Sequence, residues 1–180
     1  MTMATKEARI YSLVEMAGRC VVALEEVDGP RLVLVWIGVF EASAIAAALA
    51  GQAPPRPMTH DLMHDLVESL NAKVEKIVID DLRGNTYYAT IHMARNGARL
   101  EVDARPSDAL ALALRSACPI FVDEKVFDKC PEILKPISKE EAEKLKDELK
   151  TLSPEDFFKQ KPSLKEPDEQ TGAEPPEEPK

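Results

Sequence analysis

The sequence predicts an α+β fold: a mixed, largely antiparallel sheet with three packed helices, then a charged C-terminal helix and a disordered acidic tail. Three observations predict it. Short apolar runs alternate with tight-turn signals, segments of helical period open on acids or proline, and apolar residues almost vanish near the end. Hairpins mixed with helices in this way give α+β rather than a regular βαβ repeat.

Taken in order, Arg9–Met16 and Cys20–Glu25 read as strands joined through Ala17-Gly18. Asp28-Gly29-Pro30 is a turn, and Leu32–Ile37 is a third, fully buried strand. A helix follows from Glu41 to Ala50, stopped by Gly51 and the Pro54-Pro55-Arg56-Pro57 loop. Thr59 is placed to cap a second helix ending at Asn71, whose Leu62, Met63, Leu66, Val67 and Leu70 recur at helical spacing. Strands are expected around Val74–Ile79, Thr86–Met93 and Ala98–Asp103, with turns at Arg83-Gly84-Asn85 and Asn96-Gly97. Pro106 opens a third helix to Ala117, and Pro119–Val122 is a short strand. Ser138–Leu152 is a separate charged helix with a capping box, Ser138 and Glu141. Its stripe of Ala142, Leu145, Leu149 and Leu152 would dock on the domain or pair with a second copy as a homo-oligomer.

Two helices echo each other: Glu41-Ala-Ser-Ala-Ile-Ala and Asp108-Ala-Leu-Ala-Leu-Ala each put an acid before alternating alanines. Alanine at these positions lets a helix approach a sheet closely, so one packing problem explains the echo as well as duplication does.

Charge narrows the function classes. The 180 residues carry 23 Lys plus Arg against 32 Asp plus Glu, net −9, which excludes a strongly basic nucleic-acid binder. An apolar content of 44 % supports a real core and excludes wholesale disorder. Residues 1–130 hold 14 basic and 18 acidic groups; residues 131–180 hold 9 and 14. The boundaries expected are a domain over 1–130, a helical extension over 131–160 and a disordered Pro/Glu/Lys tail over 161–180.

Met1–Met16 mixes Lys6, Glu7, Arg9 and Glu15 without an apolar block, so no secretory signal is expected. Leu32–Ala50 imitates a membrane span, but Glu41 at its centre would cost about 2.5 kcal/mol or more. Its β-branched first half and Ala-rich second half read as a strand feeding a helix. A soluble protein with no membrane partner is expected. Cys20, Cys118 and Cys130 lack C-x-x-C spacing, which argues against disulfides and a cysteine zinc site and for the cytoplasm.

Polar residues gather at the three helix starts: Glu41; Arg56 with Thr59, His60 and Asp61; Asp103 with Arg105, Ser107 and Asp108. Helix N-termini stabilise acids without any function. If the three starts converge, however, the acids would hold a divalent cation and the arginines a phosphate. His60-Asp61-Leu62-Met63-His64 also imitates the zinc-protease H-E-x-x-H helix, since histidines four apart share a face. Asp replaces the general-base Glu there, and His92 is the only other histidine.

At these clusters the sequence resembles the bifunctional nuclease domain family. The resemblance lies in Ile37-Gly38-x-x-Glu41-Ala42 with Ile45, Arg56-Pro57-x-Thr59-His60-Asp61-Leu62, and Asp103-Ala104-Arg105-Pro106-Ser107-Asp108-Ala109-Leu110-Ala111. Pro119-Ile120 and Ser153-Pro154-Glu155-Asp156-Phe157 add to it, over about residues 7–158. His64 falls outside the pattern. The resemblance implies a compact α+β domain and, by the family's name, activity on both RNA and DNA.

The leading expectation is a metal-assisted phosphodiesterase acting on RNA or single-stranded DNA. Glu41, Asp61, Asp103 and Asp108 would offer oxygen ligands to Mg²⁺ or Mn²⁺. His60, with Asp61, Asp103 and Asp108, would supply the catalytic groups, and Arg56, Arg105 and Ser107 would bind phosphate. The alternative is a non-catalytic binding or assembly module, in which Arg105 and Arg56 form buried ion pairs with Asp103, Asp61 or Asp108. Removing Arg105 would then lower stability sharply. A zinc hydrolase built on His60 and His64 is the third reading.

Overall fold

The apolar runs pair into one eight-stranded sheet. The computed structural model describes residues 4–16 and 19–160. The strands are β1 (Thr5–Met16), β2 (Arg19–Glu26), β3 (Arg31–Ile37), β4 (Ala72–Arg83), β5 (Thr86–Arg95), β6 (Ala98–Ala104), β7 (Ile120–Asp123) and β8 (Ile133–Leu134). The helices are α1 (Val39–Leu49), α2 (Thr59–Ser69), α3 (Pro106–Ser116), α4 (Glu124–Lys129), α5 (Lys139–Thr151) and α6 (Pro154–Lys159). The spatial order is β6-β5-β4-β7-β1-β2-β3-β8. Among the described residues only β4 and β7 pair in parallel, because α3 carries the chain across before β7 inserts beside β4.

Both faces of the central strands are covered. Val21, Val22, Ala23 and Leu24 of β2 are all fully buried, which a strand achieves only between two layers. On one side α1 to α4 pack Ile45, Leu110, Leu112 and Val126 against the sheet. On the other, Leu149 of α5 and Phe157 of α6 close a smaller core over Val14, Val21, Ala23 and Leu34. The charged helix thus docks on its own chain, its box intact: Glu141 N–H donates to Ser138 Oγ at 3.1 Å.

Several elements depart from the sequence reading. β8, α4 and α6 were not expected; each has six residues or fewer, too short to display a period. Met58, not Thr59, precedes the first turn of α2, and its N–H donates to Asp61 Oδ2 at 2.8 Å. Asp61 thus ties the helix start through the Met58 N–H, rather than the threonine hydroxyl accepting from the first turn. α2 ends at Ser69 because Asn71 takes a left-handed φ of 54°. The Leu32–Ala50 run divides into β3 and α1, and among the described residues no helix is long and apolar enough to cross a membrane. The Ala17-Gly18 join and the acidic tail from residue 161 lie outside the described residues.

β4 runs four residues beyond its expected end because a bulge between Ile79 and Asp81 turns Asp81 inward. Asp81 is 7 % exposed and accepts from Lys129 Nζ, Arg83 Nε and the Leu82 N–H at 2.7, 2.7 and 2.9 Å. Burial acts to raise this carboxyl's pKa, but those bonds outweigh it and hold it well below the usual carboxylate range. A carboxyl depressed in the folded state adds stability that is complete above its unfolded pKa and is lost as pH falls through the folded one. Asp81→Asn is therefore expected to flatten the acid loss of stability below about pH 4, read by urea denaturation at stepped pH.

Candidate active site

Three acids occupy the same place in three helices: Glu41, Asp61 and Asp108 are each the third residue of α1, α2 and α3. That position favours an acid electrostatically. α3 packs against both α1 and α2, which brings the three starts to one side of the sheet. The echo between α1 and α3 thus has a spatial meaning, since Glu41 and Asp108 meet the same side chain.

That side chain is Arg105, the residue preceding α3. Its Nε and Nη2 donate to Asp108 Oδ2 and Oδ1 at 2.7 and 3.0 Å, and its Nη1 donates to Glu41 Oε1 at 3.0 Å. Glu41 folds back over the start of α1, where a Cβ at Gly38 would lie 2.2 Å from its Oε2. A side chain at Gly38 would therefore push the Glu41 carboxylate aside. His60 of α2, 8 % exposed, meets Asp108 from the other side, Nε2 to Oδ1 at 3.1 Å. Burial acts to raise the Asp108 carboxyl, yet the hydrogen bonds from Arg105 and His60 hold it below the usual range. An ionised carboxylate only accepts, so His60 Nε2 is the donor in this contact.

Asp61 is tied differently. Arg115, two helical turns beyond Asp108 on α3, donates from Nε to Asp61 Oδ1 at 2.5 Å. That bond, with the Met58 N–H second, lowers the Asp61 pKa. Arg115 Nη1 also reaches Ala44 O on α1 at 3.3 Å and Ala111 O at 2.9 Å. One arginine thereby ties α1, α2 and α3 together.

These groups line a cleft of about 1040 Å³. Glu41, His60, Asp61, Arg105, Asp108 and Arg115 form its polar wall, and Phe40 and Met58, 88 % and 63 % exposed, form an apolar rim. Asp103 and Arg56 do not join them. Asp103 is exposed on the edge strand β6, opposite Thr90, and Arg56 is exposed in the loop between α1 and α2. Ser107, 5 % exposed, faces a neighbouring cavity. His60 and His64 take separate partners, Asp108 and Ser116. Among the described residues, no group of three or more His, Cys, Asp or Glu is placed to hold a metal ion.

The arginine pairs expected to be buried are not. Arg105 is paired but its side chain is 65 % exposed, and Arg56 forms no salt bridge among the described residues. The enclosed pair is Arg115 with Asp61, their side chains 12 % and 24 % exposed. Sequence reasoning missed Arg115. The available signal was its spacing of seven from Asp108, which returns to the same helix face.

Comparison with known proteins gives this geometry a family. The model of the bifunctional nuclease domain matches residues 22–134. Uncharacterized proteins from two Mycobacterium tuberculosis strains are 41 % identical over 146 residues, covering 76 % of this chain and 87 % of theirs. Bifunctional nuclease 1 of Oryza sativa subsp. japonica is 29 % identical over 123 residues, which is 66 % of this chain and 37 % of that one. Bifunctional nuclease 2 of Arabidopsis thaliana is 26 % identical over 117 residues, 63 % of this chain and 36 % of that protein. Clefts, acids and arginines of this kind occur on many folds, but the match covers the strands and helices that build the site. The chain belongs to the bifunctional nuclease domain family.

Proposed function

We propose that this chain hydrolyses phosphodiester bonds of RNA and single-stranded DNA in the cleft beside Arg105. The observation that carries the reading is the chain of contacts Glu41–Arg105–Asp108–His60 along one wall. Arg105 supplies a planar, exposed guanidinium suited to two phosphate oxygens. Asp108 fixes the His60 ring, and His60 Nδ1 would take a proton from the attacking water. Arg115 and Asp61 hold the helix starts in register. The family name and the names of the plant relatives support a nucleic-acid substrate.

A divalent cation, Mg²⁺ or Mn²⁺, belongs to the proposal. Glu41 and Asp108 meet at one guanidinium, and two carboxylates match what Mg²⁺ takes from protein when phosphate and water complete its shell. Bound there, the cation would neutralise charge on the phosphate. The test is hydrolysis of labelled single-stranded RNA and DNA with chelator, then with Mg²⁺ or Mn²⁺ restored. Loss and recovery of the rate are expected; an unchanged rate in chelator would remove the metal and leave Arg105 as the phosphate-binding charge.

The non-catalytic module is the second reading, favoured by one observation: both carboxylates on Arg105 are already satisfied within the protein. No hydrolysis of any single-stranded substrate, with or without added metal, would favour it.

A further inference from the structure

A second cavity, of about 310 Å³, adjoins the cleft and shares Glu41 and Arg105 with it. It lies where β3 runs into α1 and the β4–β5 hairpin turns. Its walls include three aromatic side chains, Trp36 of β3, Tyr87 of β5 and Phe158 of α6. The Phe158 ring centre is 5.9 Å from that of Trp36 and 6.1 Å from that of Tyr87. β3 and β5 are separated by four other strands, so the sheet coils to let them share a neighbour. Ser107 also lines the cavity. It is 5 % exposed, yet its hydroxyl has no hydrogen bond among the described residues and is not sealed off. A buried hydroxyl open only toward a cavity is an unused hydrogen-bonding group.

The chemistry of the walls selects the ligand. The volume is at the small end of the roughly 300–1,000 Å³ typical of ligand sites. Flat aromatic walls favour a flat π-system, and Ser107 favours a rim of donors and acceptors. Glu41 at the mouth disfavours an anion inside, while Arg105 beside it attracts one at the boundary. A neutral base attached to a phosphate satisfies all of these together. We infer that the cavity is a nucleobase subsite. The base next to a phosphate held on Arg105 inserts among Trp36, Tyr87 and Phe158 and hydrogen-bonds Ser107. The inference rests on the proposed phosphodiesterase only for the phosphate being the scissile one. It adds a substrate restriction, because a paired base must leave its stack to enter and an unpaired one need not.

Trp36 is the sole tryptophan of the chain, so intrinsic fluorescence reports this cavity directly. The full chain is titrated with adenosine 5′-monophosphate, ribose 5-phosphate and inorganic phosphate. Saturable quenching by the nucleotide is expected, with ribose 5-phosphate and phosphate at least about tenfold weaker, since stacking on aromatic groups supplies the binding. Ser107→Ala should weaken the nucleotide about threefold to tenfold, the worth of one hydrogen bond, at unchanged Tm. Phe158→Leu, which keeps bulk and removes a π-face, should weaken it as well. Absence of saturable quenching, equal quenching by ribose 5-phosphate, or indifference to both variants would overturn the subsite. Hydrolysis is scored separately. Quenching without hydrolysis keeps the subsite and sinks the nuclease, whereas hydrolysis without quenching does the reverse.

Discussion

Replacing His60 by Gln is expected to lower the turnover of phosphodiester hydrolysis by about two to four orders of magnitude, with KM little changed. Glutamine retains a donor for Asp108 but has no basic ring nitrogen. The loss expected is that of the proposed proton acceptor, not of the packing of α2. Asp108→Asn should fall almost as far by a different route. It replaces a carboxylate that accepts both from Arg105 and from His60, so the ring loses the partner that fixes its tautomer. Since part of the Asp108→Asn loss acts through the same imidazole, the double variant should fall less than the product of the two single losses. Steady-state kinetics on single-stranded RNA and DNA, with circular dichroism to show retained structure, decides it. Full activity in His60→Gln would remove this residue from the chemistry.

The largest stability effect is expected from Arg115→Ala. Breaking an enclosed ion pair costs about 3–5 kcal/mol, and the lower end applies here because Asp61 keeps the Met58 N–H and some solvent. About 3 kcal/mol in a chain of this size lowers Tm by roughly 6–12 °C. Ala44 O and Ala111 O keep their helical N–H partners but lose the second, side-chain donor, which removes the link joining α1 to α3. Arg105→Ala should cost less than about 1 kcal/mol, because its exposed guanidinium is screened by water in the absence of substrate. Thermal denaturation of the two variants side by side measures the difference. The reverse order would make Arg105 the structural arginine and return the site to the non-catalytic reading.

Much of the fold was legible because its signals are local. The Asn96-Gly97 turn, Pro106 at the start of α3 and the Ser138 capping box each act within four residues, and each lies where its chemistry places it. The extra length of β4 was not legible, since the acids Asp80 and Asp81 follow its apolar run and Asp81 gains its partner only when Lys129, far along the chain, meets it. α6 was hidden for a similar reason: Phe157 and Phe158 gain a partner only when Trp36 is brought beside them.

The candidate site divides along the same line. Sequence determined that acids open three helices, that Arg105 and Ser107 stand beside one of them, and that excess negative charge excludes a surface held by electrostatics alone. Tertiary structure decided which of those residues meet. It brought Glu41, His60, Arg105 and Asp108 to one wall, left Asp103 and Arg56 apart, and enlisted Arg115. The physical reason is range. Helix-start chemistry is fixed by neighbours in the chain, whereas the register of α1, α2 and α3 depends on how their buried faces pack on a coiled sheet. That packing also shaped the aromatic cavity, whose walls come from β3, β5 and α6.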